Sequence, residues 1–114
     1  ILCNVLVCLA VWLAMAGKSV VDKVFAIIFP IAAFVAAGFE HSVANMYFIP
    51  AGLLVKAFAP ASFWASIDAA PDDYAALDVA GLVGNLVPVT LGNIVGGTIL
   101  VGAVYWLVYL RPQR

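Results

Sequence analysis

Between Val24 and Val55 the chain runs for 32 residues with a single carboxylate, Glu40, and no lysine or arginine. One straight helix of that length would span about 48 Å at about 1.5 Å per residue. The hydrocarbon core of a bilayer is only about 30 Å thick. A membrane-embedded run of this length must therefore tilt, kink or break. Pro30, Gly38, Pro50 and Gly52 lie inside it, and Gly38 stands just before the polar cluster Glu40, His41, Ser42 and Asn45. Glycine relaxes the backbone, and serine and asparagine side chains can bond the carbonyls and amides that a broken helix leaves open. Irregular backbone at membrane depth is tolerated where protein covers it or where it lines a cavity. A break at Gly38–His41 is therefore the expected arrangement.

The rest of the chain suits the same environment. Of its 114 residues 67% are hydrophobic and 10% charged, against roughly half and a quarter in an ordinary soluble domain. This balance predicts an all-α, polytopic membrane protein. Three spans are expected, at about residues 1–17, 24–55 and 81–110, as one transmembrane domain. The polar stretch Lys18–Lys23 joins the first two. A loop from Lys56 to Val79 joins the last two and carries Asp68, Asp72, Asp73 and Asp78. Within it, "PASFW" (Pro60 to Trp64) can start a short interfacial helix, since Phe and Trp suit the headgroup belt. The chain starts at Ile1, already inside an apolar run, which is expected of the later part of a longer protein with its N-terminal half upstream.

Three spans place Lys18, Lys23, Arg111 and Arg114 on one side and only Lys56 on the other. The positive-inside rule then makes the C-terminus cytoplasmic. A net charge of −1 gives no basic surface for nucleic acid. Cys3 and Cys8, five residues apart, point in different directions on a helix, and no metal cluster accompanies them, so neither a disulfide nor a metal site is expected. With one histidine and no carboxylate pair the residues assemble no catalytic constellation, and no cofactor is implied.

His41 is the sole histidine. It fits two readings: a packing residue bonded to a neighbouring helix, or a working group in a watery cavity. The adjacent break favours the second. Glu40, about 100° away on a helix, reads as a structural or interhelical hydrogen-bonding residue before a direct pore residue. Phe34 lies seven residues before His41, about two turns, and would share its face if that stretch is helical; it fits a pore constriction or ordinary packing. In the last span Gly92 and Gly96 form a GxxxG continued by Gly97 and Gly102, a pattern for close helix approach. Asn85, Thr90 and Asn93 read as polar glue between helices before pore lining; Asn4, in the first span, is open to both.

The stretches "CNVLVCLAVW" (Cys3 to Trp12), "GFEHSVANMYFIP" (Gly38 to Pro50) and "NLVPVTLGNIVGG" (Asn85 to Gly97), in this order, resemble the C-terminal half of the formate/nitrite transporter family, of the bacterial formate channel type. The resemblance implies an aquaporin-like fold of six spans, built as an inverted repeat of two three-span halves, each with a broken second span. It implies a homopentamer with one pore per protomer, set in the bacterial inner membrane. By motif, His41 looks like the central pore histidine, Phe34 like one constriction residue and Asn4 like a polar partner near the histidine. Glu40, Asn45 and Asn93 would be structural residues near the pore. The implied function is passage of small monovalent weak-acid anions such as formate or nitrite, with the histidine attracting or protonating the anion. The competing readings are an aquaporin-like channel for water or neutral solutes and a purely structural membrane subunit.

Overall fold

The computed structural model describes residues 1–111; Pro112, Gln113 and Arg114, including one of the basic residues assigned to the cytoplasmic side, lie outside the described residues. Among the described residues the chain is all-helical. Helix α1 spans Leu2–Ala16, α2 Val20–Ala36, α3 Ser42–Phe58, α4 Ala61–Ser66 and α5 Val79–Ile94. A single 3-10 turn, Pro71–Tyr74, precedes α5, and the helical run continues beyond it as π-helical turns at Val95–Ala103 and Trp106–Leu110. The run that ends at Leu110 is long and apolar enough to cross a bilayer, by length and composition.

The start of α2 is sharper than composition suggests. Ser19 Oγ accepts from the Asp22 amide at 3.1 Å, and Asp22 Oδ2 accepts from the Ser19 and Lys18 amides at 2.9 and 3.1 Å. This reciprocal cap satisfies amides that a helix start leaves open. It sets the helix going at Val20, inside the polar connector, so the link between α1 and α2 is shorter than Lys18–Lys23. At the other end, α3 runs on to Phe58, beyond the expected limit at Val55.

Two compact units make up the chain. The first consists of Ile1–His41 with the chain from Val89 onward. There α1 packs against α2 and against the π-helical segment Val95–Ala103. Cys3 and Ala10, two turns apart on α1, are buried, as are Phe34 and Val101. The glycines permit a close crossing. A Cβ on Gly96 would run into the backbone of Ile1, and one on Gly97 would approach Cys8 Sγ at 3.1 Å and Asn4 Nδ2 at 3.3 Å. Ile1, Asn4 and Cys8 follow helical spacing, so one stripe of α1 meets the small-residue face. Trp12 stacks on Tyr105 with centroids 4.2 Å apart, and Tyr109 adjoins both.

The second unit, Ser42–Pro88, holds α3, α4, the 3-10 turn and the first part of α5. Asn45 Nδ2 donates to Asn85 Oδ1 at 2.7 Å, tying α3 to α5. Asp78 Oδ1 accepts from the Gly81 amide at 2.6 Å and caps α5. "PASFW" does begin a helix: Pro60 stands at its N-cap and Ala61–Ser66 form it. Large apolar side chains such as Phe48, Phe58 and Val79 point outward. Such an apolar exterior belongs against lipid or other protein rather than water.

Candidate functional site

The polar cluster sits where α2 stops, and the stop has a clear chemical cause. The Gly38 amide donates to Val35 O and the Phe39 amide to Phe34 O, both at 3.0 Å. That pair of bonds is a Schellman motif, which requires a left-handed residue just past the C-cap. Gly38 supplies it, with φ of 66°. A Cβ at Gly38 would meet nothing within 4 Å, so the demand for glycine there is conformational and not steric. Phe39, Glu40 and His41 follow without regular structure, and α3 starts at Ser42.

Within this break the His41 imidazole lies over the Phe34 ring, with centroids 5.5 Å apart and planes inclined by 18°. Phe34 is buried and His41 half-buried. The seven-residue spacing puts the two rings on one face only if that stretch is helical, and they meet by a different route. His41 lies beyond the last residue of α2, so it is the turn at Gly38, and not a helical repeat, that brings it back over Phe34.

Asn93 secures the break from the last helix. Its side chain is 3% exposed, and its Nδ2 donates to the backbone carbonyl of Glu40 at 3.1 Å. A carbonyl released by the break is thereby bonded, as backbone removed from water requires. The Glu40 side chain itself is exposed on this chain; its main chain is what Asn93 holds. Asn4 is half-buried and lies beside Gly97. Asn45 acts in the second unit, through its bond to Asn85. Asn85 thus links two helices, whereas Asn93 bonds the non-helical segment after α2.

Chemically, the break sets an imidazole against an aromatic wall. An imidazole can donate a hydrogen bond to a small anion. Lys56, given no role in the sequence beyond its side of the membrane, is engaged with backbone carbonyls in the second unit; its partners lie 18 and 21 residues away, and no local pattern announces them.

A family model described as formate/nitrite transporter matches residues 1–107. The chain is 50% identical to the formate channel FocA of Escherichia coli (strain K12), over 99% of this chain and 40% of that protein. It is 54% identical to the formate channel FocA of Haemophilus influenzae over 90% of this chain and 36% of that one. It is 48% identical to formate-nitrite transporter 2 of Toxoplasma gondii over 89% of this chain and 18% of that one. Among solved structures, a pentameric formate channel with formate bound superposes with a TM-score of 0.86 at 51% identity, covering 96% of this chain and 44% of that one. The chain thus spans about 40% of the length of the bacterial formate channels it matches.

Proposed function

This chain belongs to the formate/nitrite transporter family, and from that premise we propose that it forms one half of a membrane pore for small monovalent weak-acid anions, formate above all. In this reading α1, the broken pair α2 and α3, and the long run from α5 to Leu110 are three spans. They make the C-terminal half of a six-span, aquaporin-like inverted repeat, assembled as a homopentamer in the bacterial inner membrane. Lys18, Lys23 and Arg111 face the cytoplasm. The names of its relatives, channels and transporters, fit passage rather than catalysis.

The observation that carries this reading is the stack of His41 on Phe34 just past the end of α2. A bare anion entering an apolar slit loses its hydration, at a cost that rises steeply as the dielectric falls. A protonated His41 draws the anion in by Coulomb attraction. His41 then shares or donates its proton, and the substrate crosses the slit beside Phe34 as the neutral acid. On the far side the proton returns and the anion leaves. Asn93 fixes the Glu40 carbonyl and so the backbone entering His41. Asn45, through Asn85, steadies α3, and Asn4 supplies a further polar contact along the path.

The test is uptake into liposomes by the full-length protein, with formate and glycerol compared across pH. Formate flux with a pH dependence that His41→Asn abolishes is the expected result. Equal glycerol and formate flux, or formate flux whose pH profile survives His41→Asn, would overturn the mechanism.

A further inference from the structure

At the C-terminal end of α3 the chain closes around one ammonium group. Lys56 is the sole lysine or arginine between Lys23 and Arg111. Its Nζ donates to the Tyr74 carbonyl at 2.7 Å and to the Leu77 carbonyl at 3.1 Å. Those carbonyls belong to one turn, because the Leu77 amide donates to Tyr74 O at 2.9 Å. A turn closed in this way aligns its carbonyls as the end of a helix does, and a cation placed there is held by both.

Apolar contacts also flank this turn. Leu77 rests on Gly52, one helical turn before Lys56, where a Cβ would approach Leu77 Cδ2 at 3.2 Å. Tyr74 lies 6.0 Å from Trp64, which meets Phe63 edge-on at 5.2 Å. Between these rings and α3 is a cavity of about 200 Å³ lined by Gly52, Val55, Ile67 and Leu77 with the aromatics. To these the Lys56 ammonium adds two directed, charge-assisted hydrogen bonds.

We propose that Lys56 is a positioning residue that straps the Tyr74–Leu77 turn, and with it the entry into α5, to the end of α3, and that it is not a lure for incoming anions. Only the last clause rests on the channel reading; the strap stands without it.

Hydrogen exchange and flux on the full-length channel separate the possibilities. In Lys56→Met the amides of residues 72–78 should exchange about tenfold faster or more, since a charge-assisted link has been removed. Lys56→Arg, still able to donate to both carbonyls, should restore most of the protection. The formate concentration for half-maximal flux should stay near the parent value in Lys56→Met at both low and high salt. Exchange within about twofold of the parent would overturn the strap. A half-saturating concentration that rises at low salt and rejoins the parent at high salt would mark a lure instead. If Lys56→Met fails to assemble, reductive methylation of the unaltered protein still decides. The Lys56 amine should react about tenfold more slowly than the exposed Lys18 and Lys23, and equal reactivity would overturn the proposal.

Discussion

Asn93, on α5, donates to the backbone carbonyl of Glu40 at 3.1 Å, so the segment that follows α2 is held by a side chain more than fifty residues downstream. A helix break in an apolar setting releases polar backbone groups that must find partners. Here a nearly fully buried amide supplies one. Asn93→Ala removes that donor and leaves the carbonyl poorly bonded, a cost of about 1–3 kcal/mol. Asn93→Asp, which cannot donate when ionised, should fare no better. Thermal melts in detergent should fall for both variants. Formate flux should fall further than the melting loss explains, because the clamp lies next to His41. Full flux with an unchanged melt would mean that the clamp is incidental.

Gly38 is the second support of the break. With φ of 66° it sits where an L side chain is strained by about 1–2 kcal/mol. No neighbour lies within 4 Å of its missing Cβ, so Gly38→Ala tests conformation without a clash. The variant should lose about that much stability in a denaturation series, and the cost should appear together with a weaker His41 pH dependence, since the Schellman turn carries the imidazole over Phe34. Gly38→Asn, better suited to left-handed backbone, should lose less than Gly38→Ala. The reverse order would argue against the turn as the controlling feature.

Which of these features could be read beforehand follows from the range of each interaction. The break was legible because a length mismatch with the bilayer and one glycine both point to it. The small-residue face of Gly92, Gly96 and Gly97 was legible because its spacing is local, and α1 does pack there. Helical periodicity puts Phe34 and His41 on one face only if the stretch between them is helical; it is not, and a turn at Gly38 brings the rings together. The Ser19–Asp22 cap was present in the sequence as S-x-x-D, but the surrounding lysines made the stretch look like connector. Asp78 likewise looked like loop charge and proves to be a helix cap. Lys56 with Tyr74 and Leu77, and Asn45 with Asn85, join residues that only the tertiary fold brings together. The π-helical turns after Ile94 carry no period that apolar patterning distinguishes from an α-helix.

The cap on α2 makes that helix start pH-sensitive. Hydrogen bonds from the Ser19 backbone and side chain, and then from the Lys18 backbone, hold the Asp22 carboxyl below its usual range. A carboxyl depressed in the folded state contributes stability at neutral pH. That contribution fades as pH falls below the ordinary aspartate value of about 3.9 and through the lower folded value. Protection of the amides of residues 19–23, relative to their intrinsic exchange at each pH, should therefore fall on acidification below that point, and Asp22→Asn should flatten the response. Ser19→Ala should weaken the helix start at all pH values, by about 1 kcal/mol. An Asp22→Asn protein with the parent's acid profile would sever the link to this carboxyl.

Phe34 is the residue on which selectivity and proton transfer meet. Its ring is 9% exposed and lies against the imidazole of His41. Aromatic pairs of this kind add about 0.5–1.5 kcal/mol beyond their buried area. Phe34→Leu keeps an apolar wall of smaller reach and deletes the stack. If the ring both narrows the slit and orients the imidazole, two effects should appear together. Glycerol permeation should rise several-fold while formate still passes, and the formate pH profile should broaden or shift because His41 has lost the surface that fixes it. Phe34→Tyr, which preserves the ring, should retain the glycerol barrier. A Phe34→Leu channel that excludes glycerol as well as the parent would remove Phe34 from the constriction. One that leaks glycerol with an unaltered pH profile would confine its role to sterics and leave His41 to act without it.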